Sequence, residues 1–362
     1  RQRQMCIRDR VLCVEKCIFA LTLCVEKCND SMISCVEKCN ELAFLCVEKC
    51  KDMKRKIYDQ LLEWKSQEHH KPLILNGVRQ CGKTYVLKEF GRREFESLAY
   101  VSCDRNVNLQ AIYSGDFDVA RIIQGLSALT GVDIIPGKTL IFLDEVQAFP
   151  QALEALKYFC EDAPEYHIAV AGSLLGVALH AGISFPVGKV QTMRLFPMDF
   201  EEFLMAMGEE QLLKLMHSHD YELMNAFHEK LKDLLRQYYY VGGMPEVVKA
   251  FVENKLLNQV RSLQNEILSN YASDFSKHAP SQEVPRIDMV WQSILGQLSK
   301  ENKKFVYGVL KKGGRAKEFE LAIQWLVDAG LVYKITKVSK PELPLKFYED
   351  LSAFKLYLCD CG

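Results

Sequence analysis

Short apolar runs punctuate this chain, and between them apolar residues recur at helical spacing. The runs are LILN (73–76), LAYVSC (98–103), LIFL (140–143), HIAVA (167–171) and VQTMRL (190–195). Each reads as a strand, and the unbroken run Leu140 to Leu143 suits a parallel strand buried on both faces. MKRKIYDQLLEWK sets Ile57, Leu61, Leu62 and Trp64 on a helical period, and YVLKEF (85–90) opens a helix soon after the first strand. Strands alternating with helices predict an α/β fold, a parallel sheet flanked by helices. Asp199 to Gln237 is largely helical in pattern, until Gly242, Gly243 and Pro245 interrupt it. From Arg286 onward the pattern is three helices and a hairpin. The third helix holds Leu321, Ile323, Trp325 and Leu326, Gly330 stops it, and Leu331 to Val338 with Pro341 and Pro344 suit a strand and wing.

The turn after the first strand carries the chemistry. Gly77 to Thr84 reads GVRQCGKT and fits G-x-x-x-x-G-K-[ST], the phosphate-cradling loop of nucleotide triphosphatases. Gly77 and Gly82 permit backbone conformations that a Cβ would penalise, so consecutive N–H groups across Val78, Arg79, Gln80 and Cys81 can turn onto phosphate oxygens. Lys83 supplies a cation for the β- and γ-phosphates, and Thr84 a hydroxyl for Mg²⁺. Asp144 and Glu145 end the run Leu140 to Leu143, on the edge where open α/β sheets bind ligands. Asp144 is the second expected Mg²⁺ holder, and Glu145 orients or deprotonates the attacking water. Ser173, one strand further on, is placed to touch the γ-phosphate or the water; it equally fits a cap for the helix LLGVAL, and the two roles are compatible. The expected catalytic set is Lys83, Glu145 and Ser173, with Thr84 and Asp144 on the metal. No guanine-reading N-K-x-D segment occurs, which favours ATP.

Lys189 and Arg194 are nearby cations. Each reads first as a solvated charge and second as a finger reaching a neighbouring subunit's nucleotide, which would require a homo-oligomer. Cys81 lies beside Lys83 and a helix N-terminus, and both favour a thiolate whose oxidation or alkylation would block the site. The plainer reading of Cys81 is a small residue tolerated in the loop.

A formal net charge of -1 leaves no global basic field to argue for nucleic acid. No apolar run is long enough for a bilayer, and the N-terminus lacks a signal peptide's layout. Nine of the 14 cysteines precede Met53; the other five, Cys81, Cys103, Cys160, Cys359 and Cys361, are sparse enough to fit a reducing cytosol. The early ones come from CVEKC, repeated at Cys13, Cys24, Cys35 and Cys46 with a spacing of eleven. A metal cluster, a helical repeat tail and a stretch foreign to the working protein compete as readings. The third is favoured, because MCIRDR (5–10) matches the translation of a sequencing-library transposon end. The working protein then begins at Met53.

GVRQCGKT, LDEVQAFP, AGSLLGV, SFPVGKV, LFPMDFEEFL and YYYVGGMPEVV occur in that order, followed by ENKKFVYGVLKKGGRAKEFELAIQWLVDAGLVYKI and KPELPLKFYEDLSAFKLYLCD. Together they resemble the bacterial and archaeal AAA-superfamily ATPases that carry a C-terminal domain of unknown function, over essentially Met53 to Gly362. The first two motifs are shared by all such ATPases, and the rest are more specific. The resemblance implies an ATP-binding AAA-type P-loop NTPase core, a winged-helix-like segment and a nuclease-like α/β domain. By matching position it implies Gly77 through Thr84, Asp144 and Glu145 as nucleotide residues, Ser173 as sensor and Lys189 at a basic position of inferred role. The expected organisation is an extension over 1–52, an ATPase core over 53–200, a helical lid or linker over 201–285, a winged-helix-like segment over 286–340 and the start of a C-terminal domain over 341–362. The family continues past its D-x-G, whereas this sequence stops at Asp360, Cys361 and Gly362, and Phe354 to Leu358 reads as a strand with no later partner. Both suggest a domain cut short.

Lys300, Lys303, Lys304, Lys311, Lys312, Arg315 and Lys317 crowd the winged-helix-like segment. They fit a phosphate-backbone footprint on DNA, or a solvated face diluted by Glu301, Glu318 and Glu320. Phe305, Tyr307, Phe319 and Trp325 read as core. The function expected is cytoplasmic, Mg²⁺-dependent ATP hydrolysis that drives a conformational change on a partner. The alternative is a DNA-binding regulator that uses ATP as a switch.

Overall fold

Five parallel strands lie in the order β2-β3-β4-β1-β5: β1 (Leu73–Gly77), β2 (Ser97–Ser102), β3 (Thr139–Asp144), β4 (His167–Gly172) and β5 (Gln191–Leu195). The computed structural model describes residues 53–104, 106–115, 117–173 and 186–362; the CVEKC repeats and the expected helix LLGVAL lie outside the described residues. All five predicted strands are present. The sheet grows from β1 outward to β2 and returns to place β5 on the other side of β1. This reversal puts β4 between β1 and β3, with Asn76 beside Gly172 and Leu143 beside Val170. The loop that follows β1 and the acids that end β3 therefore flank one strand, where open α/β sheets form their ligand crevice.

Strand periodicity divides the core into two layers. Ala99, Val101, Ile141, Leu143, Ile168 and Val170 join Ile122 and Leu126 of one helix (Val119–Thr130) and Leu153, Leu156 and Phe159 of another (Gln151–Asp162). The alternate residues Leu73, Leu75, Leu140, Phe142 and Ala169 are just as buried. Their side is covered by α1 (Lys83–Glu94), which packs on β1 to β4 and buries Val86, Leu87 and Phe90.

The predicted first helix spans Ile57–Ser66 and buries Ile57, Leu61 and Trp64. Leu62, expected on the same face, is 38% exposed. The stripe a helix buries is narrow, and one residue beyond Leu61 the surface has already turned to solvent.

Beyond the sheet, Asp199 accepts from Glu202 N at 2.9 Å and Glu202 accepts from Asp199 N at 3.3 Å. This capping box starts the helix Phe200–Met207. The chain continues helically through His228–Val241, breaks at Gly242 and Gly243, and resumes at Pro245–Asn254. Gly243 is a junction: its carbonyl accepts from Met198 N and its N–H donates to Asp360 Oδ1, both at 2.7 Å. The helix α2 (Leu257–His278) leads to helices Val284–Leu298, Tyr307–Leu310 and Ala316–Asp328, then to a hairpin of β6 (Val332–Val338) and β7 (Glu349–Leu358). Three helices and a hairpin match the predicted order. The strand expected to lack a later partner has an earlier one: Phe354 faces Thr336 and Leu358 faces Val332 across the antiparallel ladder. The chain folds back on itself, so β6 pairs one edge of β7. Phe305, Phe319 and Trp325 are buried and Tyr307 half-buried, so these aromatics are core.

Candidate functional site

Gly77 is where β1 leaves the sheet, and a Cβ there would lie 2.3 Å from the carbonyl oxygen of Leu195 in β5. The position admits only glycine. The loop then turns through Gln80 (φ 66°) and Gly82 (φ 97°) into the N-terminus of α1. The N–H groups that a helix leaves unpaired at its N-terminus, together with the helix dipole, suit such a position to an anion. Lys83, the first residue of α1, is buried, and its ammonium donates to the carbonyls of Gly77 and Val78, both at 2.8 Å. It thus lies across the loop it belongs to.

The two motifs meet. Thr84 Oγ1 donates to Asp144 Oδ2 at 2.9 Å, although 60 positions separate them. Asp144 also accepts from Glu145 N at 3.1 Å and Tyr100 Oη at 3.3 Å. Burial pushes the Asp144 carboxyl above its ordinary range; the Thr84 hydrogen bond pulls it back and the neighbouring Glu145 raises it further. Glu145 holds a left-handed backbone (φ 53°), a conformation that costs about 1–3 kcal/mol in a residue with a Cβ. Its Oε2 accepts from Gln147 Nε2 at 2.5 Å. Thr84 and Asp144 present a hydroxyl and a carboxylate side by side, an oxygen donor pair of the kind Mg²⁺ uses when phosphates and waters complete its shell. Among the described residues no group of three or more His, Cys, Asp or Glu gathers that could hold a metal by itself.

The outside of the loop is held from far along the chain. Arg55 donates to Cys81 O at 2.9 Å and to Phe196 O at 2.6 Å, and forms a buried ion pair with Glu202 at 3.1 Å. Tyr271 Oη donates to Arg79 O at 3.0 Å, and the Asp274 carboxylate pairs with the Arg79 guanidinium. Sequence reasoning missed Arg55, Tyr100, Gln147, Tyr271 and Asp274. Only Gln147, inside the quoted LDEVQAFP, lay near a marked residue.

Residues 69–204 match the family model described as AAA domain, and residues 232–362 match one described as a domain of unknown function (DUF8612). The chain thus carries an AAA domain followed by a C-terminal domain of unknown function. The Walker-type ATPase of Pyrococcus abyssi is similar in fold, with a TM-score of 0.53 at 14% identity over 86% of this chain and 94% of that one. Cdc6p from Pyrobaculum aerophilum (12% identity, 79% and 89% of the two chains, TM-score 0.29) and Drosophila ORC bound to DNA (15%, 83% and 90%, TM-score 0.30) are more distant in shape. None of the curated proteins matches the chain.

Within the AAA domain the remaining expected residues are placed as follows. Ser173 is buried at the end of β4, next to the crevice. Lys189 forms an exposed ion pair with Glu161 at 3.0 Å. Arg194 lies over the rings of Phe196 and Tyr333, 5.2 and 5.6 Å from their centroids. Both cations are engaged inside their own chain. Cys81 departs from the thiolate reading and leaves the plainer one, a small residue tolerated in the loop: it is fully buried with its Sγ 3.6 Å from Leu195 O, and burial raises the thiol above its ordinary range despite Lys83 and Arg55. Desolvation outweighs the nearby cations, so the neutral thiol is favoured. The seven basic residues from Lys300 to Lys317 are all exposed, with Lys311 3.7 Å from Glu318. Among the described residues no helix is long and apolar enough to cross a membrane.

Proposed function

We propose that this protein binds ATP with Mg²⁺ and hydrolyses it to ADP and phosphate, the hydrolysis driving a conformational change that acts on a partner. The observation that carries the reading is the contact of Thr84 with Asp144, which joins a phosphate loop to an acidic strand end. Loop N–H groups from Val78 to Thr84 bind the phosphates. Lys83 exchanges its two carbonyl partners for phosphate oxygens. Thr84 and Asp144 hold the Mg²⁺, which when bound neutralises charge on the β- and γ-phosphates. Glu145 orients the water and takes its proton, with Gln147 fixing its carboxylate. Ser173 borders the same crevice as the sensor.

Phosphate release by the purified chain tests this. Lys83→Ala is expected to lose nucleotide binding. Glu145→Gln keeps binding and loses turnover by 10²-fold or more, on the order of general-base losses. Equal turnover in the parent and Glu145→Gln refutes the assignment. A second reading, a DNA-binding regulator for which ATP is a switch, is favoured by the exposed cations between Lys300 and Lys317. It predicts salt-sensitive binding of duplex DNA together with ATP binding and negligible turnover.

A further inference from the structure

The domain of unknown function begins at residue 232, yet part of it is built into the phosphate loop. Tyr271 and Asp274 stand three residues apart on α2, hence on one helix face, and are 3% and 4% exposed. Tyr271 donates to the carbonyl of Arg79, and Asp274 takes its guanidinium. Gly330, just before β6, closes on the adjoining residue: a Cβ there would lie 3.8 Å from Val78 N. The Asp274 side chain is 6% exposed against 47% for Arg79, so the carboxylate is the desolvated member of the pair. A buried carboxylate needs its cation, and here that cation is part of the loop.

We infer that Tyr271 and Asp274 are positioning residues for the phosphate loop, and that through them the C-terminal domain completes the ATP site and senses its occupation. This rests on the ATP-binding reading above. A loop that binds phosphate through backbone N–H groups must hold them inward before the ligand arrives, or lose affinity to ordering. The Arg79 carbonyl and side chain are both held by α2. Lys83 donates to Gly77 O and Val78 O, and a triphosphate competes for that ammonium. The carbonyls so released adjoin Arg79, which is fastened to α2. Filling the site is thereby coupled to the position of α2, and a partner that binds one position of α2 changes ATP affinity by the factor by which ATP changes that partner's affinity.

The test uses the full chain and two measurements, Kd for Mg·ATP and amide exchange of residues 271–278 with and without Mg·ATP. The parent is expected to bind and to slow its exchange in α2. Asp274→Asn and Arg79→Ala each weaken binding about tenfold and abolish the exchange response, the scale of one charge-assisted hydrogen bond. The two together are no worse than either alone, and the reversed pair Arg79→Asp with Asp274→Arg regains part of the affinity. Should Arg79→Ala fail to fold because it strands the buried carboxylate, Asp274→Asn carries the same test, since the Arg79 side chain it leaves behind is half-exposed. If the parent binds Mg·ATP and the variants bind it equally well, or if their effects simply add, this inference alone is overturned. A parent without affinity for Mg·ATP overturns the ATP reading and this inference together.

Discussion

Removal of the Glu202 carboxylate should destabilise the protein far more than loss of a surface charge would. Its Oε1 lies 3.1 Å from Arg55 Nε and accepts from Lys56 N at 2.7 Å, and both side chains of the ion pair are about 5% exposed. Glu202→Ala leaves a guanidinium in the interior that, among the described residues, keeps only the carbonyls of Cys81 and Phe196 as partners. Breaking a buried pair from one side costs roughly 3–5 kcal/mol, against about 0–1 kcal/mol for an exposed one. At about 2–4 °C per kcal/mol for domains of 150–250 residues, the thermal midpoint should fall by about 6–20 °C. Scanning calorimetry or circular dichroism measures it. The paired variant Arg55→Met with Glu202→Leu should recover most of the loss, because no charge is then stranded. A fall below about 3 °C for Glu202→Ala, or a paired variant as unstable as the single one, would refute the reasoning.

Two further outcomes follow from burial. His167 stacks on His70 at 3.7 Å amid Trp64 and Phe95, with Lys65 O 3.4 Å from its Nε2. Burial first, then the neighbouring His70, holds its pKa down to about 4 from an ordinary 6.5. The unfolded chain therefore binds this proton first. The stability contributed by neutral His167 is complete above pH 6.5 and is lost as pH falls toward 4, by up to about 3 kcal/mol. Urea unfolding at pH 7 and pH 5 should show His167→Phe with a smaller acid loss than the parent; equal losses exclude His167 as the source. Cys81 should resist alkylation in the native chain while exposed Cys361 reacts. Peptide mass spectrometry reads both sites, and labelling of Cys81 as fast as Cys361 would contradict its burial.

The strands, the phosphate loop and the acidic pair were legible in the sequence because each is written locally. An unbroken apolar run such as Leu140 to Leu143 can be satisfied only by burial on two faces, and two glycines with Lys83 and Thr84 define a bend whatever surrounds it. Side-chain environment was not legible. Cys81 has a cationic neighbour in sequence, but its complete burial against Leu195 sets the opposite protonation. Leu62 fits a helical period yet falls outside the narrow buried stripe, and the strand ending at Leu358 pairs backward where no downstream partner could be seen. The chain by itself determined the order of elements and the bend of the loop, since these depend on residues close in sequence. Tertiary structure alone decided that Thr84 meets Asp144 and that Arg79 meets Asp274, 195 positions away. No local pattern records such pairs: they exist only because sheet order and helix packing bring distant segments within hydrogen-bond reach.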